Sequence, residues 1–467
     1  MARGAAGGKE VRHSDARGGE RAAVHGLCAC GAVIALSMGV LAFVDPRYRP
    51  GLFVAVAAVA GAAYLLALHV LDRLDDSRRR GLALCLVLAA LWRVPLLVQP
   101  PRLSTDVYRY VWDGRLQRLG ENPYRVVPDD PAAAHLHTPV TRRLNNGWVP
   151  TVYPPGAELF FRAVGAVDES VDAIKIAVVV CDALVALVLL RLLSATWRSP
   201  WWVLAYAWNP LVALEGAGNA HVDLVGTLAL VLTAWALARG RRTIAALGFA
   251  LAVGIKFVPL VLAPLLWRRI RMRDAVGGVA LLVALYLPFV HGGRLPLGSL
   301  GTYVAGWRFN GPLFAVLQPL VAPYALAGLA VLVGFLVAAW ARAHLDVGSA
   351  AAWTWPVAAT LLLAPSVYPW YLLWFTPFLF TPATRPLAVW TVTILATYIV
   401  IYLLWVRGRL DVPWWLIGAE YGAVLAAAAA MLHRRAAGAP DPAHVFHGQP
   451  IGDFRKRQIS DKFDLDG

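Results

Sequence analysis

The residues of this chain that could do chemistry are concentrated in one short polar segment, residues 104–115, between long apolar runs. If the segment is helical, Asp106, Arg109 and Asp113 fall at positions i, i+3 and i+7 and share one face with Tyr110. A carboxylate on such a face can accept the proton of a sugar hydroxyl while the hydroxyl oxygen attacks an electrophilic carbon. The spacing therefore predicts an acid–base face, with Asp106 as the first candidate for the base and Asp113 as the second.

The same side chains also have structural interpretations. Asp106 follows Ser104 and Thr105, and acids are common in the first turn of a helix, where the backbone carries a partial positive charge. Arg109 lies between the two acids and can simply neutralise both. Gly120 and the Asn-Pro pair after it predict the end of the helix, because glycine is permissive and proline cannot continue the ladder. For Asp106 alone the structural interpretation is the more common one, and the second acid, Asp113, on the same face favours the catalytic one.

A second polar cluster, Glu215, Asn219, His221 and Asp223, occupies a short turn. Ionisable groups at the centre of a bilayer cost about 2.5 to 3.5 kcal/mol and therefore indicate function, although a turn at the interface costs much less. His221 could hold a metal ion together with Asp223 and Glu215, and Asn219 is a supporting polar residue. The spacing is not diagnostic of a metal site, so a divalent metal is possible but not favoured, and we predict no cofactor.

Two further cations are candidates for a phosphate. Arg308, with Asn310 beside it, lies in an aromatic-rich loop, and a guanidinium binds two phosphate oxygens at once. Lys256 lies inside an otherwise apolar stretch and either reaches a lipid phosphate or extends to the membrane surface. A solvated loop arginine is the structural alternative for Arg308.

Aromatic residues accompany each of these segments. A ring can stack on a sugar or anchor a helix at the membrane interface, and both interpretations remain open. The candidates for a sugar-binding wall or groove are Tyr108, Trp112, Tyr153, Tyr368 and Trp370.

The elements that must position these residues are membrane helices. Of the 467 residues, 59% are hydrophobic and 15% are charged, whereas a soluble domain carries about 25% charged residues. Many apolar runs approach the roughly 20 residues that span a bilayer. The net charge of +15 comes largely from arginine clusters between these runs, a topology signal that argues against a nucleic-acid partner.

We predict an all-α polytopic membrane protein with about twelve spans and one re-entrant pair of half-helices. The pair is placed at residues 243–266, because Gly254, Lys256 and Pro259 interrupt the run where a spanning helix should be most apolar. The spans are residues 27–44, 52–71, 81–98, 171–193, 201–214, 222–237, 275–290, 321–340, 350–364, 370–380, 387–406 and 414–432.

The arginine clusters orient these spans, since such clusters face the cytoplasm. Residues 1–26 are then a basic cytoplasmic tail, residues 27–433 the membrane domain, and residues 434–467 a disordered cytoplasmic tail. The polar segments 100–170, 215–221, 291–320 and 366–369 all fall on the outer face. The first of them, after the third span, is too long for an idle connection. We therefore expect an active site on the outer face of the cell membrane.

The motifs around these residues resemble those of GT-C superfamily glycosyltransferases. Asp106-Val-Tyr-Arg-Tyr-Val-Trp-Asp-Gly-Arg, followed by Gly120-Glu-Asn-Pro-Tyr, is similar to their first outer loop. Tyr153-Pro-Pro-Gly, Gly-Asn-Ala-His221, Lys256-Phe-Val-Pro and Tyr368-Pro-Trp-Tyr resemble the bacterial branch that contains polyprenyl-phosphate-mannose-dependent mannosyltransferases. The resemblance extends from about residue 100 to residue 380.

The resemblance implies that a hexose, most readily mannose, moves from a polyprenyl-phosphate donor to an outward-facing glycolipid or polysaccharide in cell-envelope assembly. It implies inversion at the anomeric carbon with Asp106 as general base. Arg308, His221, Lys256 and Arg109 are the candidates that bind the donor phosphate. A tandem acidic pair is common in the superfamily, and this chain has Thr105-Asp106 there, which favours a metal-independent reaction.

Two alternatives compete with this hypothesis. Twelve spans with half-helices also fit a secondary transporter, although the long outer loop and the lack of a visible repeat argue against one. A GT-C enzyme that uses another donor sugar, such as arabinose or glucose, is the second alternative.

Overall fold

The structure, a computed structural model, describes residues 7–72, 74 and 79–436, and the regular secondary structure of this part of the chain is helical. Its only β-type pairings are two isolated bridges, His291 with Arg294 and Phe309 with Ser366. Residues 7–26, predicted as a tail, belong to the first helix, and the predicted tail beyond residue 436 lies outside the described residues. The all-α prediction is confirmed.

The described residues contain eight helical segments long and apolar enough to cross a membrane. A helix satisfies its backbone polar groups internally, which a bilayer demands. The protein is therefore a multi-pass α-helical membrane protein. The eight segments are Ala23–Phe43, Pro50–Leu71, Gly81–Val98, Val171–Ala195, Met272–Phe289, Pro323–His344, Pro382–Arg407 and Trp414–Arg434.

The structure has nineteen α-helices among the described residues, labelled in chain order. Some of them form the eight segments, and the others lie between those segments. They are α1 (Gly7–Phe43), α2 (Pro50–Leu71), α3 (Arg79–Leu91), α4 (Arg93–Val98), α5 (Asp106–Arg118), α6 (Pro155–Gly165), α7 (Val171–Ala195), α8 (Leu204–Ala207), α9 (Pro210–Ala213), α10 (Asp223–Ala238), α11 (Arg242–Ile255), α12 (Met272–Tyr286), α13 (Leu300–Gly306), α14 (Pro312–Leu317), α15 (Pro323–His344), α16 (Ala350–Leu362), α17 (Arg385–Thr393), α18 (Ile399–Arg407) and α19 (Trp414–Ala436).

Two of the twelve predicted spans consist only of short turns and one-turn helices. Residues 201–214 form a 3-10 turn, the one-turn helices α8 and α9 and the start of a π-helical turn. The break comes before Pro210, which has no N–H to donate, and Asn209 caps α9 instead. Residues 370–380 consist mainly of 3-10 turns that begin at Pro369 and Thr376. The helices α10, α11 and α16 are apolar but shorter than 18 residues.

The chain reverses direction after α11, at the predicted break. The Thr243 hydroxyl donates to the Asp274 carboxylate (2.6 Å) at the start of both α11 and α12, and Gly254 packs on Leu285 near both ends. The two helices therefore run parallel, so the intervening residues, including the 3-10 helix Val258–Leu266, must return to the end where α11 began. Lys256 lies at the turning point.

The polar segment of residues 100–170 folds around its own small core. The helix α5 begins at Asp106 and ends before Gly120, whose φ of +85° suits glycine. It packs on α6 so closely that a Cβ on Gly114 would lie 2.5 Å from the Phe161 carbonyl oxygen. Trp112 and Leu116 on the other face of α5 form a separate buried cluster.

Close backbone approach also brings this segment to the turning point of the chain. A Cβ on Gly156, in the first turn of α6, would lie 2.6 Å from the carbonyl oxygen of Gly254 in the last turn of α11. Only glycine permits that contact, which brings the loop before α6 to the turn that contains Lys256.

The remaining polar segments join the same region. The N–H of Ser299 donates to the Thr151 carbonyl (3.0 Å), and the N–H of Val367 donates to the Phe309 carbonyl (2.7 Å). The side-chain oxygen of Asn219 accepts from the N–H of Leu103 (3.1 Å). The four segments predicted to share one side of the membrane thus converge.

Candidate active site

A cavity of about 1220 Å³ lies where these segments meet. Its polar wall comes from α5 and the loops around residues 145–153, 256–258 and 299–309, and its apolar wall comes from α16 and α18. The predicted site residues that line it are Asp106, Tyr108, Arg109, Tyr153, Lys256, Arg308, Tyr368 and Trp370. Asp113, Trp112, His221, Asn219 and Asn310 do not line it.

Asp106 presents its carboxylate to the cavity from the first turn of α5. One oxygen, Oδ1, accepts a hydrogen bond from the Asn145 amide (2.8 Å), and the other, Oδ2, accepts a long one from the Tyr153 hydroxyl (3.4 Å). Ser104 Oγ accepts from the Asp106 backbone N–H (3.2 Å). Since the Asp106 carboxylate bonds to side chains and not to the first-turn N–H groups, it does not cap the helix.

The electrostatic surroundings of Asp106 make it a stronger base than an exposed aspartate. Burial raises its pKa, the Asn145 hydrogen bond and the charge of Lys256 lower it, and the charge of Asp223 raises it, so that the pKa lies above its ordinary value. A base with a raised pKa holds a transferred proton more firmly.

Arg109 is buried one turn along α5 and binds backbone, not acid. Its Nη2 donates to the carbonyl oxygens of Asn146 (2.7 Å) and Val149 (3.1 Å). The loop that carries Asn145 is thereby fixed to the same helix that carries Asp106. The guanidinium therefore positions the partner of the carboxylate.

Asp113 is fully buried away from the cavity and faces a second carboxyl group, Glu158. Burial raises the pKa of Asp113 to about 6, although the charge of Arg109 lowers it, and burial together with the charge of Asp113 raises the pKa of Glu158 well above its usual range. Glu158 accepts from the Thr151 hydroxyl (2.7 Å). Two carboxyl groups in one dry site favour a shared proton.

Lys256 forms a short ion pair with Asp223 on the cavity floor. Its Nζ donates to both carboxylate oxygens (2.7 and 2.9 Å) and lies 4.2 Å from the centre of the Tyr371 ring. The Trp374 indole also donates to Asp223 (2.7 Å). The Lys256 side chain is only 16% exposed, and the acid and the ring hold its ammonium in one place.

A continuous stack of rings forms one wall of the site. Phe309 stacks on Tyr368 (4.5 Å between ring centres), Tyr368 on Trp370 (4.6 Å), and Trp370 on His221 (4.0 Å). His221 is fully buried behind Trp370, with its Nε2 3.2 Å from the Glu215 carboxylate. Glu215 also accepts from the Tyr398 hydroxyl. His221 thus supports the stack from behind.

The other predicted site residues have structural contacts. Arg308 donates to the carbonyl oxygens of Trp307 (2.6 Å) and Ala305 (2.8 Å), which caps α13. Asn310 donates to Glu420 of α19 (3.1 Å). Trp112 is buried and stacks on His137 (4.1 Å between ring centres). Of these residues, only Arg308 borders the cavity.

Several cavity residues were not predicted from the sequence. Asn145 carries the shortest hydrogen bond to Asp106, and an asparagine in a loop gives no signal of that role. The hydroxyls of Tyr303 and Tyr371 bond to each other (2.6 Å). The remaining unpredicted polar lining includes Arg47, Arg102 and Arg143.

Nowhere in the described residues do three His, Cys, Asp or Glu side chains come together as a metal site requires. Glu215 and His221 form only a pair, since Asp223 turns to Lys256.

Comparison with known proteins assigns the family. Residues 23–270, more than half of the chain, match the alpha-(1->6)-mannopyranosyltransferase family, N-terminal domain. The chain belongs to this family. The matched residues contain Asp106, Asn145 and Lys256, whereas Tyr368 and Trp370 lie beyond them.

Two curated proteins are similar over a shorter stretch of 110 residues. A probable alpha-(1->6)-mannopyranosyltransferase of Mycolicibacterium smegmatis is 34% identical over 24% of this chain and 19% of its own length. An alpha-(1->6)-mannopyranosyltransferase of Mycobacterium tuberculosis is 33% identical over 24% of this chain and 18% of its own length. The match therefore spans about a fifth of either relative. No solved structure matches the chain.

Proposed function

We propose that the protein is a membrane glycosyltransferase that moves a hexose, most readily mannose, from a polyprenyl-phosphate sugar to a glycolipid or polysaccharide acceptor. Membership of the alpha-(1->6)-mannopyranosyltransferase family supports the sugar. The observation that carries the proposal is the Asp106 carboxylate, which lines the cavity, is held by Asn145 and feels the charge of Lys256.

Asp106 is the general base of this reaction. It removes the proton of the acceptor hydroxyl as the hydroxyl oxygen bonds to the anomeric carbon of the donor. The bond from that carbon to the phosphate oxygen breaks on the opposite face of the sugar, so the configuration inverts. Asn145 and Arg109 are positioning residues, because Asn145 holds the carboxylate and Arg109 holds the loop that carries Asn145.

Lys256 stabilises the departing phosphate. The polyprenyl phosphate leaves with an additional negative charge, and a cation fixed beforehand stabilises that charge without reorganising. The ion pair with Asp223 and the contact with Tyr371 keep the ammonium at the cavity floor. His221 and Arg308, also expected at the phosphate, are assigned to positioning, because His221 lies behind Trp370 and Arg308 caps α13.

The aromatic and apolar walls divide the substrate between them. The faces of Tyr368 and Trp370 are covered within the ring stack, so these two residues offer their ring edges to the cavity, and a sugar can lie against those edges. Ile401 and Leu404 of α18, with Leu361 of α16, line the apolar side and suit a prenyl chain. Leu404 is 46% exposed, so this side reaches the lipid-facing surface.

We place the site on the outer face of the cell membrane, with both termini in the cytoplasm. The arginine clusters at residues 239–242 and 268–273 lie at the ends of α11 and α12 remote from Lys256. Such clusters favour the cytoplasmic side, which leaves the cavity outside.

Transfer from synthetic polyprenyl-phosphate-mannose by the purified protein tests the function directly. We expect turnover with mannose, less with the arabinose and glucose analogues, and a loss of at least about 100-fold in kcat for Asp106→Asn. The matched control is Asp113→Asn on the same helix, which should retain turnover because Asp113 is outside the cavity. Full activity of Asp106→Asn refutes the assignment of the base, and transfer of no sugar refutes the function.

A further inference from the structure

Three arginines on the cavity wall remain outside the proposed mechanism. Arg47 comes from the turn between α1 and α2, Arg102 from the segment before α5, and Arg143 from the outer loop. They approach one side of the cavity around Tyr108. We call Arg47, Arg102 and Arg143 the arginine rim.

Arg143 has unused hydrogen-bonding capacity. Its guanidinium carbon lies 4.5 Å from the centre of the Tyr108 ring, and among the residues that the structure describes no acceptor is within hydrogen-bonding reach of its N–H groups. The ring holds the planar group in place while its donors stay open to the cavity. A guanidinium in this state can accept a phosphate through two parallel hydrogen bonds.

The other two arginines are fixed but keep their charge. Arg102 donates to the Ala42 carbonyl (2.7 Å) and to the Gln99 side chain (3.1 Å), both neutral acceptors. Arg47 forms an ion pair with Asp45 (2.6 Å). Burial raises the pKa of Asp45, but hydrogen bonds from Arg47 and the charges of Arg47 and Arg102 lower it overall. Arg102 is therefore close enough to Asp45 and Arg47 to act on them electrostatically.

The rim therefore carries excess positive charge. Three guanidinium groups and one carboxylate, that of Asp45, leave a net charge of 3 − 1 = +2. Burial raises the pKa of Tyr108, and the charges of Arg143 and Arg47 both lower it, so the two arginines act on one point. On the cavity floor, the ion pair with Asp223 balances part of the charge of Lys256. A second anion is more strongly attracted to the rim than to the floor.

The rim also adjoins the lipid-facing side of the cavity. Tyr48, the neighbour of Arg47, packs edge-on against Trp405 of α18 (6.2 Å between ring centres). Trp405 is 63% exposed and lines the cavity with Leu404. A ligand at this place has its charged group among arginines and its hydrocarbon against apolar side chains.

We propose that the arginine rim binds the phosphate group of a membrane lipid. The chemistry is a lipid phosphate with one free negative charge or more, and its source is either the polyprenyl phosphate of the donor or an anionic phospholipid that carries the acceptor. The inference rests on the proposed function only in taking the cavity as a lipid-substrate site. The binding itself needs no turnover.

The experiment measures binding to the purified full chain in neutral detergent, with two probes in separate arms. One probe is sugar-free polyprenyl phosphate, and the other is phosphatidylglycerol, with phosphatidylcholine as the zwitterionic reference. We expect Arg143→Gln to weaken binding of at least one anionic probe by about five- to tenfold, since a partly exposed charge contributes about 1 kcal/mol. Arg143→Lys should weaken it less, because the charge remains while the fork is lost.

The matched control is Arg142→Gln, which removes the same charge from the adjacent exposed residue that does not line the cavity. Weaker binding of polyprenyl phosphate alone assigns the rim to the donor, and weaker binding of phosphatidylglycerol assigns it to an anionic lipid. If neither probe responds to Arg143→Gln, or Arg142→Gln has an equal effect, the inference is wrong. A variant set that binds as expected while the wild-type protein transfers no sugar overturns the proposed function alone.

Discussion

The hydrogen bond from Asn145 to Asp106 should control the pH dependence of the reaction. Asn145→Ala removes the 2.8 Å donor and leaves the Tyr153 hydroxyl, whose 3.4 Å contact is weak. The asparagine stabilises the ionised carboxylate, so its loss raises the pKa of Asp106 further. A hydrogen bond to a charged group contributes about 1.5 to 3 kcal/mol, and about 1.4 kcal/mol corresponds to one pH unit.

The acid limb of kcat/KM against pH should therefore move upward by about one to two pH units in Asn145→Ala. The base must be ionised to accept a proton, so activity falls most at low pH and partly recovers at high pH. Tyr153→Phe is the graded comparison and should move the limb by less than about half a unit. An unchanged limb in Asn145→Ala, with protein that melts normally, means that Asp106 does not titrate as the base.

Three other changes test the surrounding structure. Lys256→Met should lower the free energy of unfolding by about 3 kcal/mol, because it leaves the buried Asp223 carboxylate without its cation. Adding Asp223→Leu should restore part of the loss, and a double-mutant melting cycle measures both effects. Trp112→Ala should destabilise the fold by about 3 to 5 kcal/mol in a melting experiment and leave the KM of the folded protein unchanged. An altered KM with normal melting would instead mean that the Trp112 ring binds sugar. Asp113 has a pKa raised to about 6, and its protonated form favours the fold. Protection of the loop between α5 and α6 from proteolysis should therefore fall as pH rises through 6, and Asp113→Asn should abolish that dependence.

The sequence predicted features that depend on local pattern. The third span, residues 81–98, and the start of α5 at Asp106 match the structure, because hydrophobic length and helix punctuation are local signals. The break at Lys256 is present for the same reason. The four polar segments predicted to share one side of the membrane do contact one another, whereas the side on which they lie stays a prediction.

Contacts between distant segments could not be predicted in the same way. Lys256 and Asp223 are 33 residues apart, and their ion pair exists only because α10 and α11 pack antiparallel. His221 was expected at a phosphate, but its burial behind Trp370 depends on a segment almost 150 residues later. Trp112 looks identical in sequence whether it faces a sugar or a core. Hydrophobic periodicity cannot distinguish the two faces of one short helix.

The ring stack has a mechanical consequence. Phe309, Tyr368, Trp370 and His221 touch in series, and the last of them contacts the pair formed by Glu215 and Tyr398. Rings in van der Waals contact cannot move independently, so a ligand that displaces one ring displaces its neighbours as well. Binding of a sugar would thus displace these rings in turn and, through Glu215, move Tyr398, the residue directly before α18. Sugar binding in the cavity and the width of the cavity's apolar side at α18 would then be mechanically linked.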